Sequence, residues 1–195
     1  MGLYKTAIAS QWILSALIAW RAFARGFDWS ALGFKFQPVS TLLFVGVFGG
    51  TLLGLAHWFN LRRVSRSENP QLQRLRLLAT KIFPHSRQEA TLFCGLSLTA
   101  GICEEFLYRG FLFAALSAAS VPTWAVLVIS SALFGLAHAY QGRGGILGTL
   151  ILGIVFGSVR ILYHSLVPVV FWHTALDVVA GFAGMLYLVE NKELK

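Results

Sequence analysis

Apolar residues run along this chain of 195 residues in long unbroken blocks rather than at alternate positions. Six blocks reach the roughly 20 residues needed to cross a bilayer as a helix. They are Leu3–Phe23, Ser40–Phe59, Ala90–Ser117, Pro122–Tyr140, Gly145–Tyr163 and Leu166–Val189. The alternation of a membrane barrel is missing. Trp20, Trp58, Trp124, Tyr140, Tyr163 and Tyr187 stand near block ends, where an interfacial aromatic belt belongs. Pro122 and Pro168 fall in first turns, where a missing amide donor costs nothing. Between the second and third blocks, Leu72, Leu75, Leu78 and Ile82 recur at helical spacing beside Arg74, Arg76 and Lys81. That spacing predicts a short amphipathic helix lying on the membrane surface, closed by Pro84. The pattern predicts an all-α fold: one integral membrane domain over residues 1–195, a polytopic transmembrane helical bundle of about six spans with a short interfacial helix.

Two rows of small residues predict where helices meet. Gly46, Gly50 and Gly54 form one row, and Gly145, Thr149, Gly153 and Gly157 the other. Rows at this spacing let backbones approach closely in lipid, so their part is structural. Gly135 likewise admits a neighbour beside Phe134 and His138.

Composition strengthens the membrane reading: 56% of residues are apolar and only 12% charged, where a soluble domain carries about a quarter charged. The net charge of +8 raises the question of nucleic acid, but its distribution excludes it. Arg62, Arg63, Arg66, Arg74, Arg76, Lys81 and Arg87 crowd one connection, opposed by Glu68, the pattern of a cytoplasmic loop beside anionic lipid. With both termini cytoplasmic, that side also receives Lys5, Arg143, Lys192 and Lys195, eleven in all. The other side receives Arg21, Arg25, Lys35 and Arg160, and Arg109 stays inside the bundle. Eleven against four predicts both termini inside. Cys94 and Cys103, nine apart on one helix, face opposite ways and cannot pair, so they read as reduced core cysteines. The first block faintly resembles a signal peptide and the Met-Gly-x-x-x-Thr start a myristoylation pattern. A retained first span is the reading adopted.

Ionisable groups at bilayer depth cost several kcal/mol each and are mostly functional. In blocks three to six such groups cluster: Glu104, Glu105 and Arg109 on the third, His138 at the end of the fourth, His173 and Asp177 on the sixth. Glu105 and Arg109 are four apart and can pair across one helix face. Glu104 lies about 140° away from Arg109, free for chemistry. His173 and Asp177 are also four apart, so the carboxylate can orient the imidazole or both can face one water. His57, His85 and His164 lie at block ends or in the loop and read as interfacial. Cys103 as nucleophile, with His138 as base, is disfavoured by two adjacent acids that oppose thiolate formation.

Glu-Glu-x-x-x-Arg-Gly, then Phe-x-x-x-His, then a Ser-Leu-x-Pro run (Ser165 to Pro168) ahead of His-x-x-x-Asp, on successive helices, resembles the CAAX-protease and bacteriocin-processing family. The resemblance covers about Thr91 to Gly181, within a motif-bearing core of about residues 90–189. It implies intramembrane endopeptidase activity on a peptide or membrane-protein substrate in the lipid bilayer. Eukaryotic members trim prenylated CAAX proteins, and bacterial members are linked to bacteriocin maturation or immunity; the chain carries no sign of a prenylated target, and a bacterial cell membrane is its expected location. Carried over by motif, Glu104 activates the attacking water with help from His138. His173 and Asp177 stabilise the oxyanion, and Glu105 and Arg109 complete and brace the first motif. An ionised Asp cannot donate to an oxyanion, so Asp177 is protonated, or orients His173, or binds a metal. Zinc held by His138, His173 and Asp177 therefore stands beside a metal-free mechanism. The rivals from other classes are a non-catalytic immunity or scaffold protein that keeps the polar cluster for stability, and a small proton-coupled carrier. The carrier lacks the internal repeat such folds carry.

Overall fold

With no water in the bilayer core, an apolar run must satisfy its backbone internally, and the long runs of this chain do so as helices. The computed structural model describes residues 2–36, 38–66 and 70–189, without the side chains of residues 70–72 and 74. Glu68, Lys192 and Lys195, and the side chains of Leu72 and Arg74, lie outside the described residues. The helices are α1 (Gly2–Ala24), α2 (Val39–Val64), α3 (Pro70–Ile82), α4 (Arg87–Glu105), a π turn (Phe106–Phe111), α5 (Leu112–Ala118), α6 (Thr123–Ala137), α7 (Gly142–Tyr163) and α8 (Val167–Tyr187). α4, the π turn and α5 run on as one helix of 32 residues, Arg87–Ala118.

Among the described residues, five helices, rather than the about six expected, are long and apolar enough to span a membrane. The exception is the fourth predicted span. Its helix, α6, has 15 residues and is about 22 Å long, against a hydrocarbon core of about 30 Å. It stops because His138 leaves helical geometry (φ −95°, ψ 17°), a 3₁₀ turn follows over Ala139–Gln141, and Gly142 takes φ +80°. The apolar run Pro122–Tyr140 hid this stop, which brings a histidine to the end of a short helix.

Contacts along the helices give their directions. α1 runs parallel to α4, with Tyr4 against Phe93 and Trp12 Nε1 donating to Thr99 Oγ1 at 3.2 Å. α2 runs parallel to α8: Gly46 meets Phe171, Gly50 meets Phe171 and Ala175, and Gly54 meets Val179. α6 and α7 are antiparallel, since Gly135 packs on Ile146 and Leu150 while Ser131 packs on Gly153. The first predicted row is therefore a contact line, Gly46–Gly50–Gly54 on α8; of the second, Gly153 and Gly157 pack on α6, while Gly145 meets only Gln141. On α2 the opposite face carries Phe44, Phe48, Leu52 and Leu55, each more than half exposed, as a lipid-facing stripe would be.

The predicted amphipathic helix forms as α3, and it is docked as well as amphipathic. Ala79 is buried with Leu61, Ala183 and Leu188, and Leu75 packs against them. Tyr4 donates its hydroxyl to the Ile82 carbonyl at 2.7 Å. The start of α1, α3 and the end of α8 thus share one end of the bundle. The opposite end is closed by the stretch 25–36, where the Leu166 amide donates to the Gly33 carbonyl at 2.9 Å. Arg160, expected among the external charges, lies at this end and is buried, and its Nη2 donates to the Ala31 carbonyl at 3.2 Å. The guanidinium fills space left by Gly33, which sits at φ +87° and has no side chain to collide with it.

Candidate functional site

The Glu104–Gly110 motif sits where α4 changes winding. Ser86 caps α4 by accepting from the Glu89 amide, and the helix is regular until Glu105. The next turn is π, with the Leu112 amide reaching back five residues to the Leu107 carbonyl. Such turns are mostly single insertions and recur at functional sites. Two features hold it. Ser130 Oγ on α6 donates to the Tyr108 carbonyl at 2.9 Å, and Gly110 lets the Leu32 carbonyl come so close that a Cβ would lie 2.8 Å from it.

Glu105 and Arg109 make the expected pair, Oε1 to Nη1 at 2.9 Å, and both side chains are fully buried. The guanidinium lies over the Phe134 ring at 4.1 Å, which offers the charge a π face in place of water. The same Glu105 Oε1 accepts from His173 Nδ1 at 2.8 Å. So the carboxylate that orients His173 comes from α4, not from Asp177 four residues along. Glu105 ties Arg109 and His173 together, and His173 Nε2 is left facing away from it.

Glu104 points elsewhere, as its spacing predicts. Its Oε2 lies 3.9 Å from His173 Nε2, and Asp177 Oδ2 lies 3.6 Å from the same nitrogen. Both distances exceed a direct hydrogen bond, and the three polar groups turn to one point beside them, where a water on the cavity side can touch each. Glu104, His138, His173 and Asp177 line a cavity of about 480 Å³. His138 enters from the end of α6, with Nδ1 at 2.8 Å from the Phe134 carbonyl, which makes that nitrogen the donor and leaves Nε2 free. Of the six residues singled out, four face the cavity, while Glu105 and Arg109 stand behind His173.

Two imidazoles and two carboxylates are a zinc-type donor set by chemistry. As placed, they do not form one: among the described residues no three His, Cys, Asp or Glu side chains are arranged to hold an ion. The His138, His173 and Asp177 set falls short in its arrangement; the Nδ1–H that His173 gives to Glu105 leaves Nε2 on the cavity side, the tautomer a ligand imidazole has.

Three cavity residues escaped the sequence reading. His57, taken as interfacial, lines the lobe next to Leu61, Ala79 and Leu188. Gln11, on α1, lines the cavity beside Glu104 and donates its Nε2 to Glu104 Oε1 at 3.2 Å. An amide in the middle of an apolar span is costly for the same reason as the buried acids, and that is the signal Gln11 carries in the sequence. Tyr140, taken for its place in the aromatic belt, also lines the cavity.

A bundle of membrane-length helices enclosing acids and imidazoles around an internal cavity defines an integral membrane protein with a polar site inside it. Residues 86–179, from the cap of α4 past the last acid on α8, match the family model described as type II CAAX prenyl endopeptidase Rce1-like. This segment, just under half of the chain, is similar to the CAAX-protease and bacteriocin-processing family of intramembrane proteases. No curated protein and no solved structure matches the chain.

Proposed function

We propose that this protein is an intramembrane endopeptidase that hydrolyses a peptide bond of a membrane-associated protein or peptide, with Glu104 as the water-activating group. The observation that carries this reading is the gap shared by Glu104 Oε2, His173 Nε2 and Asp177 Oδ2, at 3.6–3.9 Å, in the wall of the cavity. A water there touches a base on one side and an imidazole on the other. Glu104 takes a proton from the water, assisted by His138, as the oxygen attacks the scissile carbonyl. The new C–O bond leaves an oxyanion next to His173. With Nδ1–H given to Glu105, a proton on Nε2 supplies the donor, and Asp177 and Glu105 balance the imidazolium charge. Asp177 then needs no proton of its own. Collapse of the oxyanion breaks the C–N bond, and Glu104 passes its proton to the leaving amine. Glu105 and Arg109 keep His173 in place throughout.

The bundle sets both described ends of the chain on the α3 side, and the basic residues Arg62, Arg63, Arg76, Lys81 and Arg87 on that side support a cytoplasmic placement. The test is cleavage of a panel of quenched fluorescent peptides by protein purified without added metal, before and after exhaustive chelation. Turnover that persists with negligible bound zinc is the expected result. About one zinc per chain, with activity lost on chelation and restored by zinc, would overturn the metal-free mechanism. No cleavage of any peptide, together with a Glu104→Gln protein that keeps its full biological function, would give the scaffold reading its place.

A further inference from the structure

We propose that Gln11 on α1 is a positioning residue for Glu104, selecting which carboxylate oxygen faces the reacting water. The inference rests on the peptidase reading of the site. Gln11 lies outside the segment matched by the family model, so nothing in that match assigns it a part.

A carboxylate on a helix can rotate about its last bond and present either oxygen. Here the two oxygens of Glu104 are distinguished. Oε1 accepts from Gln11 Nε2 at 3.2 Å, while Oε2 is the one that lies 3.9 Å from His173 Nε2, beside Asp177. Because a carboxylate only accepts, the nitrogen of the Gln11 amide must face it, which fixes the amide orientation. Its Oε1 is then buried without a hydrogen-bond partner, in a side chain that lines the cavity.

α1 is held firmly enough for this. Tyr4 stacks edge-on against Phe93 at 5.7 Å, and Trp12, next to Gln11, donates to Thr99. One turn of α4 separates Thr99 from Glu104, so the donor and its acceptor ride on two helices locked just upstream. The other groups facing Glu104, namely His138, His173 and Asp177, come from α6 and α8 and lie toward Oε2 or across the cavity. Gln11 is the one donor recorded on Oε1 among the described residues.

The experiment compares wild type, Gln11→Met and Gln11→His on a quenched peptide that the wild type cleaves. Met keeps the length and packing of Gln and lacks the donor; His offers an Nε2–H at similar reach. Removing a hydrogen bond to a charged group is expected to lower kcat roughly ten- to hundredfold. For Gln11→Met this fall should come with thermal stability close to wild type and a smaller change in KM, and Gln11→His should recover most of the turnover. If Gln11→Met does not fold, Gln11→Asn, which draws the donor back by one methylene, carries the same expectation. Wild-type kcat in a folded Gln11→Met or Gln11→Asn protein overturns the inference and leaves the peptidase reading intact. Loss in Gln11→His equal to that in Gln11→Met also overturns it. A wild type that cleaves no peptide overturns both.

Discussion

α8 is gripped on two sides in two different ways. Toward α2 the contact is apolar and glycine-based, with Gly46, Gly50 and Gly54 fitted to Phe171, Ala175 and Val179. Toward α4 the contact is close but polar: Gly101 meets Val170 and Thr174, and one turn further along α4 Glu105 accepts from His173, which lies between those two residues. In lipid the first kind of contact gains from dispersion and fit alone, because hydrocarbon competes equally for apolar surface. The second kind brings desolvation costs that only partners offset. The α2 side therefore fixes where α8 lies, and the α4 side fixes what its imidazole does. Within the α4 side the same division recurs between neighbours: Glu105 is sealed and paired, and Glu104 is open to the cavity.

The largest effect should come from breaking the polar side. Arg109→Ala leaves Glu105 buried without its cation, and removing one partner of a buried pair costs about 3–5 kcal/mol. Thermal unfolding in detergent should show a large fall; an unchanged midpoint would mean the pair holds nothing. Next comes a matched pair of substitutions. A Cβ at Gly101 would lie 3.1 Å from the Val170 carbonyl oxygen and 3.2 Å from the Thr174 amide, both backbone atoms that cannot step aside. Gly101→Ala should therefore cost about 1–3 kcal/mol as overpacking and also lower turnover, since it pushes His173 off Glu105. Gly50→Ala meets Phe171 O at 3.3 Å and the Ala175 methyl at 3.5 Å. It should cost less and leave turnover unchanged. Equal activity losses in the two variants would erase the distinction between the faces.

Asp177 sharpens the comparison further. Asp177→Asn keeps a polar group next to His173 Nε2 that can itself donate to an oxyanion, so measurable turnover should remain. Asp177→Leu should abolish it, and equal rates in the two variants would remove Asp177 from the mechanism. The smallest perturbation is a pair of fused reporters. One placed after Lys195 should read cytoplasmic and one near Lys35 external, and reversed readings would invert the side from which substrate enters.

Much of this architecture was legible in the chain. Long apolar runs have one solution in lipid, so among the described residues five of the six blocks are helices long enough to span, and most of the glycine-row positions became contact lines because spacing alone sets which face is smooth. The Glu105–Arg109 pair followed from helical periodicity. What stayed hidden depends on breaks in that periodicity and on partners distant in sequence. The π turn at Phe106–Phe111 is set by Gly110 against Leu32 and by Ser130 against Tyr108, neither readable from one helix. The early stop of α6 lay inside an apolar run. Glu105 as the partner of His173 spans 68 positions, and Gln11 as the partner of Glu104 spans 93. The burial of Arg160 was not readable, because charge counting does not see a loop folding over it.

The central claim is that adjacent glutamates divide the labour, Glu104 acting on water and Glu105 holding His173 and Arg109. It is tested most directly by measuring kcat and the thermal midpoint side by side for Glu104→Gln and Glu105→Gln. The account predicts that Glu104→Gln loses turnover on a cleavable peptide and keeps a midpoint close to wild type. Glu105→Gln is predicted to lose turnover and stability together. A Glu104→Gln protein with wild-type turnover, or equal destabilisation in the two variants, would contradict it.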